Sequence, residues 1–260
     1  MSFFVNNVEL KEASFNQQEV KSIYFNTHLI WESFRWPGWA NATWEDIYKL
    51  CQQRWNGGIA WPDDVVLGAT KETTLSTAIL GTSTFTMRII GLDIERQGVI
   101  TFDSKYLTAE TMTISSLDTY QYDFYRYCDA KPYIKPLNKG TAAPDINRNG
   151  NVYYDVYYVW SLSEREVNLD EYSGISVANS TTTRAECTSG INKPYPYFTS
   201  DDKRKKTVAG SSIGYEWLTR SEGITSLTGR IRIYIKKDGI NNVCSESYSN
   251  LRFSPCFAIG

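Results

Sequence analysis

Three glutamates stand where acid–base chemistry could be done: Glu164 and Glu166 in Val159-Trp160-Ser161-Leu162-Ser163-Glu164-Arg165-Glu166-Val167, and Glu216 in Gly214-Tyr215-Glu216-Trp217-Leu218-Thr219-Arg220-Ser221. A hydrolase needs only two carboxyl groups, so residue supply leaves this chemistry open. Histidine-assisted nucleophilic catalysis is closed off. The single histidine, His28, lies near the start, which removes Ser-His and Cys-His pairs and histidine metal sites from the rest of the chain. Glu166 follows Ser163 at capping-box spacing. Arg220 sits in a short apolar strand and needs a partner, since an unpaired buried charge is costly; Glu166 and Glu216 are the candidates. Arg220, Glu166 and Trp217 are therefore read as structural residues, and no enzyme is expected.

Metal chemistry has one candidate. Asp145, Asn147, Asn149 and Asn151 alternate around Gly150 as in a calcium loop. The twelfth position, which should carry a bidentate glutamate, holds Val156, with Asp155 one place early. The same residues read as a turn, Asn149-Gly150, before a strand over 152–160, and that reading is preferred; neither a resident metal nor a cofactor is expected. Five cysteines without a C-x-x-C pair point to reduced, buried thiols.

Binding chemistry rests on aromatics, which make up 14% of the chain, with 18 tyrosines and 8 tryptophans. Such rings suit sheets, protein interfaces and sugar surfaces alike. Tyr195, Tyr197 and Phe198 in the turn Tyr195-Pro196-Tyr197-Phe198, together with Tyr215, are read as the ligand-binding residues. The net charge of -2 argues against nucleic acid. Lys203-Arg204-Lys205-Lys206, preceded by Asp201 and Asp202, is read as a solvated loop. No run is long enough to span a bilayer and no signal peptide is present, so synthesis in a cytoplasm without secretion is expected.

The elements that must position these groups begin with a repeat. Asn6, Asn16 and Asn26 fall in register at a period of ten, each between an apolar or aromatic residue and an aliphatic one, which predicts a β-meander of very short strands turned at Asn6-Asn7, Asn16-Gln17 and Asn26-Thr27. Such a unit is too small to be stable alone and is expected to dock on something else. Residues 1–32 form this module and residues 33–260 an aromatic-rich domain, joined at Trp36-Pro37-Gly38-Trp39. Thr43 caps a helix carrying Trp44, Ile47, Tyr48, Cys51 and Trp55, stopped at Asn56-Gly57-Gly58. Phe85 to Ile89 and Val99 to Phe102 predict a hairpin. The tyrosines from Tyr120 to Tyr127 fit a half-buried strand or an exposed platform. Arg230 to Ile235 alternates as a strand, and Phe253 to Ile259 predicts a final strand in the core. The fold class is α+β, mostly β, with a few short helices.

Two resemblances follow. The repeat, closing in Leu29-Ile30-Trp31-Glu32, resembles a short N-terminal segment carried by tail, neck and head proteins of phages. The order Leu162-Ser163 with Glu166-Val167, then Tyr195-Pro196-Tyr197-Phe198, then Trp217-Leu218 with Arg220-Ser221, then a glycine-turned hairpin and Pro255 with Phe257, resembles an uncharacterised phage and bacterial family, domain of unknown function 6273, over residues 36–260. More remotely it is similar to the C-type-lectin-like fold. These resemblances imply a virion structural protein on the particle surface, as a head fibre or a tail or neck component. It would be attached to other virion proteins through residues 1–32, homo-oligomeric in the particle, and would bind a host receptor or cell-surface glycan. The alternative is a purely architectural decoration, neck or tail protein without ligand.

Overall fold

The computed structural model describes residues 34–77, 81–142, 152–163, 165–169, 193–225, 229–245 and 248–260, and six strands within residues 4–32. The six strands pair as three antiparallel hairpins: β1 (Phe4–Val5) with β2 (Val8–Glu9), β3 (Ala13–Phe15) with β4 (Gln18–Val20), and β5 (Ser22–Phe25) with β6 (His28–Glu32). Val5 pairs with Val8, Phe15 with Gln18 and Phe25 with His28, so each hairpin closes across the expected asparagine pair; the conformation of those pairs lies outside the described residues. Among the described residues the expected meander of short strands is three two-stranded units.

Helix α1 (Trp44–Gly57) starts at a complete capping box: Asp46 N donates to Thr43 Oγ1 and Thr43 N donates to Asp46 Oδ2. It ends at Gly58, whose φ of 64° is the left-handed conformation that glycine adopts without steric cost. Strands β7 (Thr70–Thr77), β8 (Gly81–Leu92), β9 (Ile100–Ser104), β13 (Val159–Trp160) and β19 (Cys256–Ile259) build an antiparallel sheet in the order β13-β19-β9-β8-β7. The predicted β8–β9 hairpin and the core C-terminal strand are both in it. Strand β10 (Tyr106–Leu107) runs parallel to β14 (Lys206–Val208), which pairs with β15 (Gly214–Tyr215). Strand β11 (Leu137–Ala142) pairs with β12 (Val152–Tyr157), and β16 (Trp217–Thr225), β17 (Gly229–Ile235) and β18 (Asn241–Ser245) form a three-stranded sheet.

The tyrosine-rich run is a helix, α2 (Leu117–Tyr127), and not a strand. Leu117, Gln121 and Phe124 are its buried face, at helical spacing, while Tyr122 points outward. Lys203 and Arg204 belong to a short helix, α3 (Asp201–Arg204), and Lys206 opens β14, so the basic run is no simple loop.

The two faces of the main sheet differ in chemistry because residues directly opposed across antiparallel strands share a face. Ile89, Phe102, Phe257 and Val159 form one row. Phe102 and Phe257 stack with centroids 5.4 Å apart; Trp44 of α1 meets both edge-on, and Phe124 of α2 lies 6.2 Å from Phe257. The adjacent row, on the other face, is Arg88, Asp103, Cys256 and Trp160. All four are buried, so the charged pair in this row must be satisfied from within.

Candidate functional site

Two lysines descend on the polar row, and each nucleates a buried cluster. Lys206, at the first position of β14, donates to Asp103 Oδ2 at 2.6 Å, to the Ser104 carbonyl at 2.7 Å and to Ser254 Oγ. Its three ammonium protons are thereby matched. Arg88 grips the same carboxylate in a fork, Nε to Oδ1 at 3.1 Å and Nη2 to Oδ2 at 2.9 Å, and donates from Nη1 to the Tyr197 hydroxyl at 3.0 Å. The Lys206 ammonium also lies 4.8 Å from the Trp217 ring. Burial, reinforced by the neighbouring Arg88 against the pull of Asp103, lowers the Lys206 ammonium to about 8.

Lys139 of β11 makes the second cluster. Its ammonium donates to Glu95 Oε1 at 2.5 Å, Glu166 Oε1 at 2.9 Å and the Tyr195 hydroxyl at 2.9 Å, and sits 4.6 Å from the Trp160 ring. Arg220 Nη1 donates to Glu166 Oε2 and to the Ser161 carbonyl at 2.8 Å, and its Nε reaches the Gly140 carbonyl at 3.3 Å. Burial works to raise the Glu166 carboxyl, but Arg220, Lys139 and the hydrogen bonds overcome it and hold the group at about 2. Tyr195 is driven well above the ordinary phenol range by burial, then by Glu166 and Glu95. Cys256 is pushed up too, by burial and then by Glu166 and Asp103.

Of the two partners considered for Arg220, Glu166 is the one in place. Glu216 instead accepts from the Tyr248 hydroxyl at 2.6 Å. Ser163 and Glu166 exchange capping-box hydrogen bonds, Glu166 N to Ser163 Oγ at 3.2 Å and Ser163 N to Glu166 Oε2 at 2.9 Å, around a turn over 165–168. Glu164 lies outside the described residues. A carboxylate held at about 2 between two cations is no proton donor near neutral pH; its geometry ties β11, β16 and the 165–168 turn together. Trp217 is fully buried, with Nε1 donating to the Arg204 carbonyl at 3.1 Å.

The expected aromatic ligand residues are not assembled as a surface. Tyr195 and Phe198 are buried, the first because its hydroxyl completes the Lys139 cluster, the second because its ring is core. Tyr197 is half-buried beneath the Arg88 guanidinium at 4.1 Å, and Tyr215 is half-buried with Arg252 over its ring at 4.4 Å. In the calcium-loop candidate, Asp145, Asn147, Asn149 and Asn151 lie outside the described residues, and Asp155 accepts from the Val156 N–H at 2.9 Å. Among the described residues no three His, Cys, Asp or Glu side chains converge as a metal site, and no helix is long and apolar enough to cross a membrane.

Sequence reasoning missed Lys139 and Lys206, because a buried lysine looks like a solvated one in a list of letters. The available signal was position: Lys206 precedes Thr207-Val208 in a strand, and Lys139 lies in β11, which pairs with β12. It also missed where the exposed rings are. Trp55 at the end of α1 is 48% exposed, Tyr122 of α2 59%, and Tyr154 and Tyr158 48% and 40%. Tyr158 stacks on Tyr125 with centroids 4.3 Å apart. Comparison with protein-family models, with curated proteins and with solved structures finds no match to the chain.

Proposed function

We propose that the chain is a bacteriophage virion protein displayed on the particle surface, with residues 1–32 as its attachment module and residues 33–260 as a non-enzymatic, C-type-lectin-like domain that binds a host-surface glycan. The observation carrying this reading is the run of three hairpins with strands of two to five residues, ahead of a domain whose buried charges are engaged with one another. Isolated two-stranded hairpins of that length are marginal in water, so they serve best as segments that gain stability by docking on neighbouring subunits. The resemblance of the repeat to phage head, neck and tail proteins supports the same assignment. Exposed rings at Trp55, Tyr122, Tyr154 and Tyr158 supply flat faces of the kind that stack on sugars.

Imaging of intact particles at subunit resolution tests the proposal. The chain is expected on the particle surface with residues 33–260 outermost, and a version lacking residues 1–32 is expected to fold and remain unincorporated. A protein found free in the host and absent from particles would overturn the reading, and a particle in which all four exposed rings are covered by neighbouring subunits would favour the architectural role.

A further inference from the structure

The loop over 93–98, joining β8 to β9, gathers more cations than acids. Arg54 is matched by Asp93 at 2.8 Å, and Lys139 by Glu95 and Glu166. Arg96 and Lys193 are not matched: neither makes an ion pair with a described residue. Arg96 lies over the exposed indole of Trp55, 4.5 Å from its centroid, and its Nε is buried without an acceptor. Lys193 Nζ reaches only the Ile94 carbonyl, at 3.5 Å. Two unmatched positive charges around one loop stand against the net charge of -2 of the whole chain.

The group is held in place. Gly98, with φ at 74°, presses the loop against α1 so closely that a Cβ there would lie 2.6 Å from the Cys51 carbonyl and 2.8 Å from Trp55 Cβ. Gln97 Nε2 donates to the Arg54 carbonyl at 3.0 Å, and Gly98 N donates to Asp93 Oδ1 at 2.7 Å. A guanidinium laid on an indole and left without a carboxylate offers its fork to a planar or tetrahedral anion, while the rest of the ring stays open to an apolar face. A sugar bearing an acidic group has both features.

We infer that Trp55, Arg96 and Lys193 form a binding site for an anionic saccharide, the ring of one sugar packing on Trp55 and its carboxylate or phosphate on Arg96 and Lys193. This rests on the glycan-binding reading above and names the class of glycan.

Calorimetric titration of the full chain with tetragalacturonate, a glycerol phosphate oligomer, neutral maltotetraose and oligothymidylate tests it. At least one of the first two is expected to bind, more weakly as salt rises, with no binding of maltotetraose; which of them binds separates a carboxylated source from a phosphate one. Arg96→Ala and Trp55→Ala are each expected to weaken that binding about tenfold or more at an unchanged melting temperature, with Arg96→Lys retaining part of it. Anion binding unaffected by Arg96→Ala overturns the site, as does preference for oligothymidylate. Binding of maltotetraose alone overturns the anionic site and leaves the glycan reading standing; absence of binding to every probe overturns the site, and a broad array of neutral glycans then decides the glycan reading.

Discussion

Asp103 and Lys206 meet at 2.6 Å with neither side chain reached by solvent. The same carboxylate holds Arg88, so Asp103 is the shared anion of two buried cations. Asp103→Ala strands both and is expected to cost about 3–5 kcal/mol. Lys206→Met leaves Asp103 with Arg88 and keeps an apolar stem against Trp217, so its cost should stay below about 2 kcal/mol. Chemical denaturation of the two variants measures the gap, and equal losses would contradict the sharing.

Glu166 sets the acid limb of stability. Its folded-state carboxyl, at about 2, lies below the ordinary 4.5, so the unfolded chain binds the proton more readily. The contribution is present above about 4.5 and is lost as pH falls towards 2, on the order of 3 kcal/mol. Denaturation midpoints across that window should show the fall. In Glu166→Gln the protein is expected to be weaker at neutral pH, with a flatter acid limb.

Arg220→Ala leaves Glu166 with Lys139 as its cation and removes the guanidinium from the Ser161 and Gly140 carbonyls. A loss of about 3 kcal/mol is expected. Arg220→Lys should recover only part, because one ammonium cannot reproduce the spread of the guanidinium across Glu166 and the Ser161 and Gly140 carbonyls. Thermal unfolding with saccharide binding as a second readout checks this; a stable Arg220→Ala protein lacking only binding would move Arg220 into the site.

Cys51, Cys128, Cys244 and Cys256 are buried, and burial pushes the Cys51 and Cys128 thiols up to about 12. A protonated, enclosed thiol is a poor nucleophile. A Cys187→Ser variant should therefore take up almost no iodoacetamide at mildly alkaline pH until it is unfolded, and then four equivalents. Mass spectrometry counts them.

Gly239 and Gly210 both have positive φ, 87° and 80°. A Cβ at Gly239 would overlap the Asp201 carbonyl, whereas at Gly210 it meets nothing within 4 Å. Gly210→Ala should cost only the backbone strain, about 1–2 kcal/mol. Gly239→Ala is expected to cost clearly more, because the α3 backbone must move. Paired melting curves test the order.

Local signals read well from the letters. The Thr43–Asp46 capping box and the hairpins at Asn6, Asn16 and Asn26 depend on neighbours within a few residues, and the β8–β9 pairing joins strands adjacent in the chain. The failures share one cause, burial decided by distant elements. Tyrosines at 120, 122, 125 and 127 carry strand propensity, yet the helical period of Leu117, Gln121 and Phe124 prevails because Phe124 packs on Phe85 and Phe257. Tyr195 looked like a ligand platform until Lys139, 56 residues away, claimed its hydroxyl. Strand β7, Thr-Lys-Glu-Thr-Thr-Leu-Ser-Thr, has almost no apolar pattern to read.

The place of β19 in the sheet bears on how the nascent chain acquires its shape. Residues 256–259 pair with 100–103 on one side and β13 on the other, so they enter between strands made long before them. Until they emerge from the ribosome, β9 and β13 each present an open edge, and Asp103 and Trp160 have no common neighbour to bridge them. The sheet is completed by insertion into a gap and not by growth at its rim. Its assembly therefore waits on contacts of very long sequence separation, which places this chain among the slow folders and makes an unfinished copy prone to pairing with another.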